Sequence, residues 1–224
     1  MIRAVICFFF VAGLLIACSK NQEGKPGAQS IATPVAVPPP QLTVTNLPGA
    51  APSASPSPDA PMIERGIEVK NAGNLFLTFP KTWRDRLGRV AEAGRMYDSI
   101  QFRPQSNDTF ALMVNVNNVG QSNADKLDLN AILLKAGQGE LTNAVEKSLD
   151  VHEFEGSQVK GCYFVITDKN RTIAAPKPGQ YLYLTQGYAK IDRLILSFRL
   201  VSNHLSPEQE ETLEMIKTAR LEKK

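Results

Sequence analysis

The chain has 224 residues, with 25 lysine and arginine residues against 22 aspartate and glutamate residues, so its net charge at neutral pH is +3. Such a near balance argues against a dedicated nucleic-acid-binding protein, which usually concentrates a marked basic excess on one face. Three cysteines and two histidines are too few and too scattered for a metal site with zinc-like spacing. We therefore expect no nucleic-acid partner and no bound metal.

The first seventeen residues predict an export signal. Arg3 is followed by an apolar stretch, Ala4 to Ala17, which is well short of the ~20 residues that a membrane-spanning helix needs. The stretch ends in Leu15-Ile16-Ala17-Cys18, which resembles the lipobox of bacterial lipoproteins. This resemblance implies cleavage before Cys18, acylation of its sulfur, and attachment to the lipid bilayer through the acyl chains. An ordinary secretory signal, cut before an unmodified Cys18, is the alternative.

The same resemblance implies an address in the bacterial cell envelope. In lipoproteins of bacteria with two membranes, an aspartate after the acylated cysteine commonly retains the protein in the inner membrane. Here the next residue is Ser19. We therefore expect the chain on the outer membrane, facing the periplasm, if the host has two membranes.

Residues 18 to 65 predict a disordered tether behind the lipid. The stretch from Ser19 to Arg65 holds ten of the fifteen prolines and no aromatic residue, so it cannot form a core and favours extended, solvated chain. As a flexible chain, its 47 residues would span roughly 40 Å root-mean-square. The folded part can then act above the lipid surface. Proline runs that dock onto a partner are the alternative.

The 159 residues from Gly66 to Lys224 predict one globular domain, because a chain of this length can bury a substantial core. Apolar residues alternate with polar ones over several short segments, which is typical of strands. The segment from Lys81 to Arg95 is polar and basic, and it predicts a loop. In this first half we expect strands near Gly66 to Asn71, Leu75 to Phe79, Ser99 to Arg103 and Thr109 to Asn117.

The second half of the domain predicts strands and two helices. Apolar residues at helical spacing indicate a helix that includes Leu129 and Ala136. Ser206 is the predicted N-cap of a last helix that runs to about Ala219, with Gln209 completing a capping box. We expect strands from Val151 to Phe154 and Val159 to Thr167, and a hairpin formed by Tyr181 to Ala189 and Arg193 to Ser202. This order predicts an α+β fold, in which two or three helices pack on an antiparallel β-sheet.

The pattern resembles the PsbP-like fold family, which also includes bacterial envelope lipoproteins of the DcrB type. The resemblance rests on an early strand that ends at Phe79-Pro80 with Trp83 just after, a central helix, a late hairpin and a final helix. The family often has a small residue before the tryptophan, where this chain has Lys81 and Thr82. The resemblance implies an α/β sandwich and a non-catalytic accessory or binding protein.

Two basic segments are the candidate binding sites. Between Lys81 and Arg95, five cations and two acidic residues lie beside a tryptophan, and guanidinium groups near an aromatic ring suit lipid headgroups, glycan phosphates or an acidic protein. The second segment is the long connection from Asp168 to Gly179. A solvated loop whose tryptophan belongs to the core is the alternative for the first segment. The predicted binding residues are Lys81, Trp83, Arg84, Arg86, Arg89, Lys169 and Arg171.

No set of catalytic residues is recognisable. Cys162 alternates with Phe164 and Ile166, which is typical of a small buried side chain in a strand. A nucleophilic cysteine also needs a histidine and an orienting group, and the chain has no glycine-rich phosphate loop that would hold a cofactor. We predict an envelope lipoprotein that binds a protein or another envelope component. The alternatives are a carrier of a small apolar ligand and, in third place, a hydrolase that uses Cys162.

Overall fold

The structure is a computed structural model that describes residues 61–92, 95–106, 108–171 and 179–223. The predicted signal peptide, the predicted acylation site Cys18 and the predicted tether up to residue 60 lie outside the described residues. So do residues 172–178 of the second basic segment.

Ten strands and three α-helices make up the described part of the chain. The strands are β1 (Met62–Val69), β2 (Gly73–Pro80), β3 (Trp83–Glu92), β4 (Arg95–Pro104), β5 (Phe110–Asn118), β6 (His152–Glu155), β7 (Val159–Thr167), β8 (Tyr183–Ile191), β9 (Leu194–Ser202) and β10 (Arg220–Glu222). The helices are α1 (Gln121–Ala124), α2 (Leu129–Gly137) and α3 (Glu208–Lys217), with a 3₁₀ turn at Glu140–Asn143.

The strands form two sheets in which all neighbours are antiparallel. The large sheet has the order β3-β4-β5-β9-β8-β7-β6, and the small sheet has the order β1-β2-β10. The main core is built from apolar side chains of both sheets and of α3. A second, smaller core includes Leu133 of α2 and apolar side chains of β7 and β8. The predicted α+β class, an antiparallel sheet packed with a few helices, is confirmed.

The first strand begins earlier than predicted. Strand β1 starts at Met62, four residues before the expected start at Gly66, because Met62 to Arg65 continue the antiparallel pairing with β2 as far as Pro80. Ile67 and Val69 are buried, whereas the first five residues of β1 are exposed. An exposed beginning of this kind lacks the apolar alternation by which a strand is recognised in sequence.

The prediction of a loop between Lys81 and Arg95 is wrong. Its residues from Trp83 onward form β3, which pairs along its whole length with β4 and lies at one edge of the large sheet. Edge strands are commonly rich in charged side chains, which discourage pairing with another chain. The same charges hide the strand pattern from sequence reasoning.

The end of the chain also differs from the prediction. Helix α3 starts at Glu208 without a side-chain cap, and the Ser206 hydroxyl donates a hydrogen bond to Glu210 Oε1 at 2.9 Å, so the predicted capping box does not form. After the helix, the three residues of β10 pair with β2, a strand that sequence analysis missed. This pairing needs Gly73, because a Cβ there would lie 2.0 Å from the carbonyl oxygen of Glu222.

Candidate functional site

Strand β3 divides the first basic segment between two faces of the large sheet, because successive side chains of a strand point to opposite faces. Trp83 points inward and is only 3% exposed. Its ring lies 4.7 Å from that of Phe110 and 6.0 Å from that of Phe102 between centroids. The structure thus places Trp83 in the core, as the alternative interpretation of this segment had it, and not on a binding surface.

The charged side chains on the inward side of β3 form ion pairs with neighbouring strands. Arg65 of β1 donates a hydrogen bond to Asp85 Oδ2 at 2.8 Å, and Arg89 donates one to Asp98 Oδ1 at 3.3 Å. Arg89 therefore has an acidic partner on the neighbouring strand. The two aspartates of the β3–β4 hairpin lie on this side of the sheet.

The outward side of the same hairpin carries arginines. Arg84 and Arg86 are exposed and alternate along β3, and Arg103 of β4 lies directly opposite Arg84. No acidic residue stands at the outward positions of residues 84–90 in β3, 97–103 in β4 and 111–117 in β5. We call the surface formed by Arg84, Arg86 and Arg103 the arginine face.

Like charges dominate the arginine face. Two like charges at directly opposite positions of an antiparallel pair destabilise the sheet, and Arg84 faces Arg103 in this way. Arg103 reaches Asp108 at 3.5 Å, whereas the side chains of Arg84 and Arg86 make no hydrogen bond or ion pair within the described part of the chain. An anion bound here would relieve the repulsion, since guanidinium groups bind carboxylates and phosphates in bidentate geometry.

Lys81 stands near one end of this face. It is exposed in the turn between β2 and β3, and its carbonyl oxygen accepts a hydrogen bond from Gln105 Nε2 at 2.8 Å. Gln105 follows β4 by one residue, so the turn is held beside the end of β4 that carries Arg103. Lys81 can therefore add a fourth cation to the same region.

The second basic segment is tied to another part of the fold. The Lys169 ammonium donates a hydrogen bond to the Thr142 carbonyl oxygen at 2.7 Å, and Arg171 pairs with Asp168 at 3.3 Å. Lys169 thus holds the segment that follows β7 against the 3₁₀ turn, whereas Arg171 is paired within its own segment. Of the seven predicted binding residues, the structure gathers Lys81, Arg84 and Arg86, and it adds Arg103, which sequence analysis missed.

Arg103 could have been found from the sequence only through strand pairing. It ends the predicted strand from Ser99 to Arg103, but its position opposite Arg84 depends on the register of a hairpin whose first arm was predicted as a loop. That arm lacks the alternation of apolar and polar residues by which a strand of a hairpin is recognised in sequence.

Cys162 lies in β7 and is 1% exposed. Burial, together with the charge of Glu153 across the strand pair, raises the pKa of its thiol to about 11. Such a thiol is protonated at neutral pH, so it lacks the nucleophilic thiolate form. His152 lies opposite Tyr163 and not opposite Cys162. The arrangement does not favour a cysteine hydrolase.

We expect Cys162 to resist alkylation in the folded protein. With a pKa of about 11, roughly one thiol in a thousand is ionised at pH 8, against roughly a quarter for an ordinary cysteine. Iodoacetamide labelling, read at the Cys162 peptide by mass spectrometry, should be at least a hundredfold slower in buffer than in strong urea. Equal rates in both conditions would contradict the buried, protonated thiol.

An open groove of about 540 Å³ lies between the start of α2 and strands β6 and β7. Five of its ten lining residues are charged or polar, and Asn130 donates a hydrogen bond to Glu153 across it at 2.7 Å. A cavity for an apolar ligand is lined predominantly by apolar and aromatic side chains. The groove thus gives no support to the apolar-carrier alternative.

Two further observations concern the described residues only. No cluster of three or more histidine, cysteine, aspartate or glutamate side chains there is arranged to hold a metal ion. No helix there is long and apolar enough to cross a membrane.

No family model and no curated protein matches the chain. Among solved structures, the chain is similar to the solution structure of cyanobacterial PsbP (CyanoP) from Synechocystis sp. PCC 6803, with a TM-score of 0.45 and 10% sequence identity. The match covers 78% of this chain and 98% of that one. It is a protein of the family that the sequence pattern resembles. A similarity this low carries no argument about function, and the fold class rests on the strands and helices described above.

Proposed function

We propose that this protein is a non-catalytic binding module of the bacterial cell envelope, which recognises an anionic partner through the arginine face. The observation that supports this proposal most is that the exposed side chains of Arg84 and Arg86 have no partner among the described residues, while Arg84 lies directly opposite Arg103. The core position of Trp83 makes this strand rigid at its start. A rigid strand presents its arginines at fixed spacing, which lowers the entropic cost of binding.

The proposal includes anchoring through an acylated Cys18. A lipid anchor and a tether of the 43 residues from Ser19 to Pro61 would keep the domain within a short distance of the membrane, so that even a weak contact is strengthened by a high effective concentration. Each exposed ion pair contributes only about 0.2–1 kcal/mol, so the contact made by the exposed arginines is expected to be weak and to benefit from the anchor.

The test compares two double variants of the full chain that lose the same charge. Arg84→Gln with Arg86→Gln should weaken binding to heparin, used as a generic polyanion, roughly tenfold, because two exposed ion pairs together contribute about 1.4 kcal/mol. The matched control is Lys70→Gln with Lys126→Gln, two exposed cations without an ion-pair partner in the described residues. The control should bind within twofold of the unaltered chain. An equal loss in both variants would mean that only net charge matters, and the proposed face would be wrong.

A further inference from the structure

Gly88 of β3 leaves an open space on the outward side of the large sheet. Within 4 Å, a Cβ added there would meet a single described atom, the carbonyl oxygen of Ser99 at 4.0 Å. The other glycines in strand interiors are Gly66, Gly161 and Gly187, and at each of them a Cβ would lie 3.0 Å or less from a phenylalanine ring. Packing therefore requires those glycines but not Gly88. A glycine inside a strand weakens it and often marks a place where a ligand approaches closely.

Small side chains continue from Gly88 across the sheet. Strand pairing places Ser99 opposite Gly88, Asn115 opposite Ser99, and Ser197 opposite Asn115. The adjoining outward rows hold larger side chains, namely Arg86, Gln101, Met113 and Arg199 on one side and Val90 and Tyr97 on the other. We call the depression along Gly88, Ser99 and Asn115 the cross-strand groove.

Two polar atoms in the cross-strand groove have no hydrogen-bond partner in the described part of the chain. One is the hydroxyl oxygen of Ser99, a residue that is 2% exposed, and the other is Oδ1 of Asn115, a residue that is partly buried. A buried polar group without a partner destabilises a fold, and most buried polar groups in proteins are bonded. Both atoms lie on the face that carries Arg84 and Arg86, next to the open space at Gly88.

These atoms and the arginines together select the chemistry of a ligand. Asn115 Oδ1 only accepts hydrogen bonds, so its partner must be a donor, and a hydroxyl group can donate as well as accept. Ionised phosphate, sulfate and carboxylate groups only accept, and they suit the arginines. We infer that the cross-strand groove binds an anionic glycan, whose hydroxyls bond to Ser99 and Asn115 and whose acidic groups bind Arg84 and Arg86. This inference rests on the proposed function and names the chemical class of its partner.

An acidic peptide fits the cross-strand groove less well than a sugar chain does. A peptide that joins a sheet pairs with the backbone of the edge strand, which is β3 here. Asn115 lies two strands further in, about 10 Å from that edge, so such a peptide would not reach it. A sugar chain adds no strand and can lie across β3, β4 and β5. The partly buried ring of Tyr97 borders its path, and sugars pack their C–H faces against aromatic rings.

The experiment compares Gly88→Val with Gly139→Val in the full chain. Valine at position 88 would fill the groove at its open end, and it favours a strand, so urea unfolding should show no loss of stability. Gly139 is exposed, has a φ of −67° and also has room for a Cβ, but it lies beside the 3₁₀ turn. The probes are heparin, a sulfated sugar chain, and inorganic polyphosphate, which is anionic but has no sugar hydroxyls.

We expect Gly88→Val to weaken heparin binding about tenfold and polyphosphate binding by no more than about twofold, because only heparin loses hydrogen bonds to the groove. Gly139→Val should change neither affinity. An unchanged affinity for heparin, or an equal loss for both probes, would overturn the inference. If Arg84→Gln with Arg86→Gln still weakens both probes in that case, the proposed function stands and the partner is an acidic protein. If this double variant weakens neither, the proposed function and the glycan inference are both wrong.

A second variant, Ser99→Ala, tests the cross-strand groove without adding bulk. It removes a buried hydroxyl that has no partner, so the urea midpoint should not fall. Heparin binding should nevertheless weaken about threefold, because one hydrogen bond to the glycan is lost. A residue with only a structural role would not weaken binding while leaving stability intact. An unchanged affinity of Ser99→Ala for heparin would count against the groove as the glycan site.

Discussion

Replacing Trp83 by alanine should lower the free energy of unfolding by about 3–5 kcal/mol, which is the usual loss for a large aromatic side chain removed from a core. Trp83 is 3% exposed and contacts the rings of Phe79, Phe102 and Phe110. The cavity would open where β3 begins, at the junction of the two sheets. A domain of this size has a total stability of about 5–15 kcal/mol. Urea unfolding followed by circular dichroism would measure the loss.

Two neighbouring variants serve as controls. Arg84→Ala changes the next, exposed residue and should alter stability by no more than about 0.5 kcal/mol. Trp83→Phe keeps an apolar ring but removes the indole N–H that donates a hydrogen bond to Glu211, a carboxyl whose pKa is raised by burial. The loss of stability in Trp83→Phe should fall between that of Trp83→Ala and that of Arg84→Ala. If Trp83→Ala lowered the free energy of unfolding as little as Arg84→Ala, Trp83 would not be a core residue. The hypothesis that its ring binds a partner would then be favoured again.

Cys18→Ala should move the chain from the membrane fraction to the soluble fraction. Each methylene of an acyl chain that is buried in a bilayer contributes about 0.8 kcal/mol, so two or three chains hold a protein almost permanently. The contact proposed for the arginine face is far weaker, and a wash at high salt should remove it because it depends on arginines at the surface. Cell fractionation followed by immunoblotting measures the distribution.

Cys7→Ala is the matched control for the anchor. Cys7 lies inside the predicted export signal and would leave with it, so this variant should remain with the membrane. If Cys18→Ala stayed on washed membranes to the same extent as Cys7→Ala, lipid attachment at Cys18 would be wrong.

Regular apolar alternation predicted much of the fold. Strand β7 was predicted with the bounds that it has, Val159–Thr167, and the β8–β9 hairpin was predicted to within two residues at each end. All three strands lie inside the large sheet with a neighbour on each side, and their buried face requires apolar side chains at every second position. The burial of Cys162 followed from the same alternation and was predicted for the right reason.

The wrong predictions concern elements whose structure is decided by tertiary contacts and not by the local residue pattern. Strand β10 has three residues, too few for any periodicity, and it forms because Gly73 lets its backbone approach β2. The expected capping box at Ser206 has the right residues at the right spacing, yet its hydroxyl bonds to a glutamate side chain. Spacing along the chain shows which contacts can form, and packing decides which do.

The candidate site shows the same division. The amino-acid sequence alone determined that a cluster of arginines follows Pro80 beside a tryptophan, because charge and residue type are read directly from it. It also predicted an export signal and a tether, predictions that depend on composition and order rather than on packing. Only the tertiary structure decided that Trp83 belongs to the core, that Arg89 is paired with Asp98, and that Arg84 faces Arg103. Those facts depend on the register of two strands, and register is set by contacts between residues that are distant in the chain.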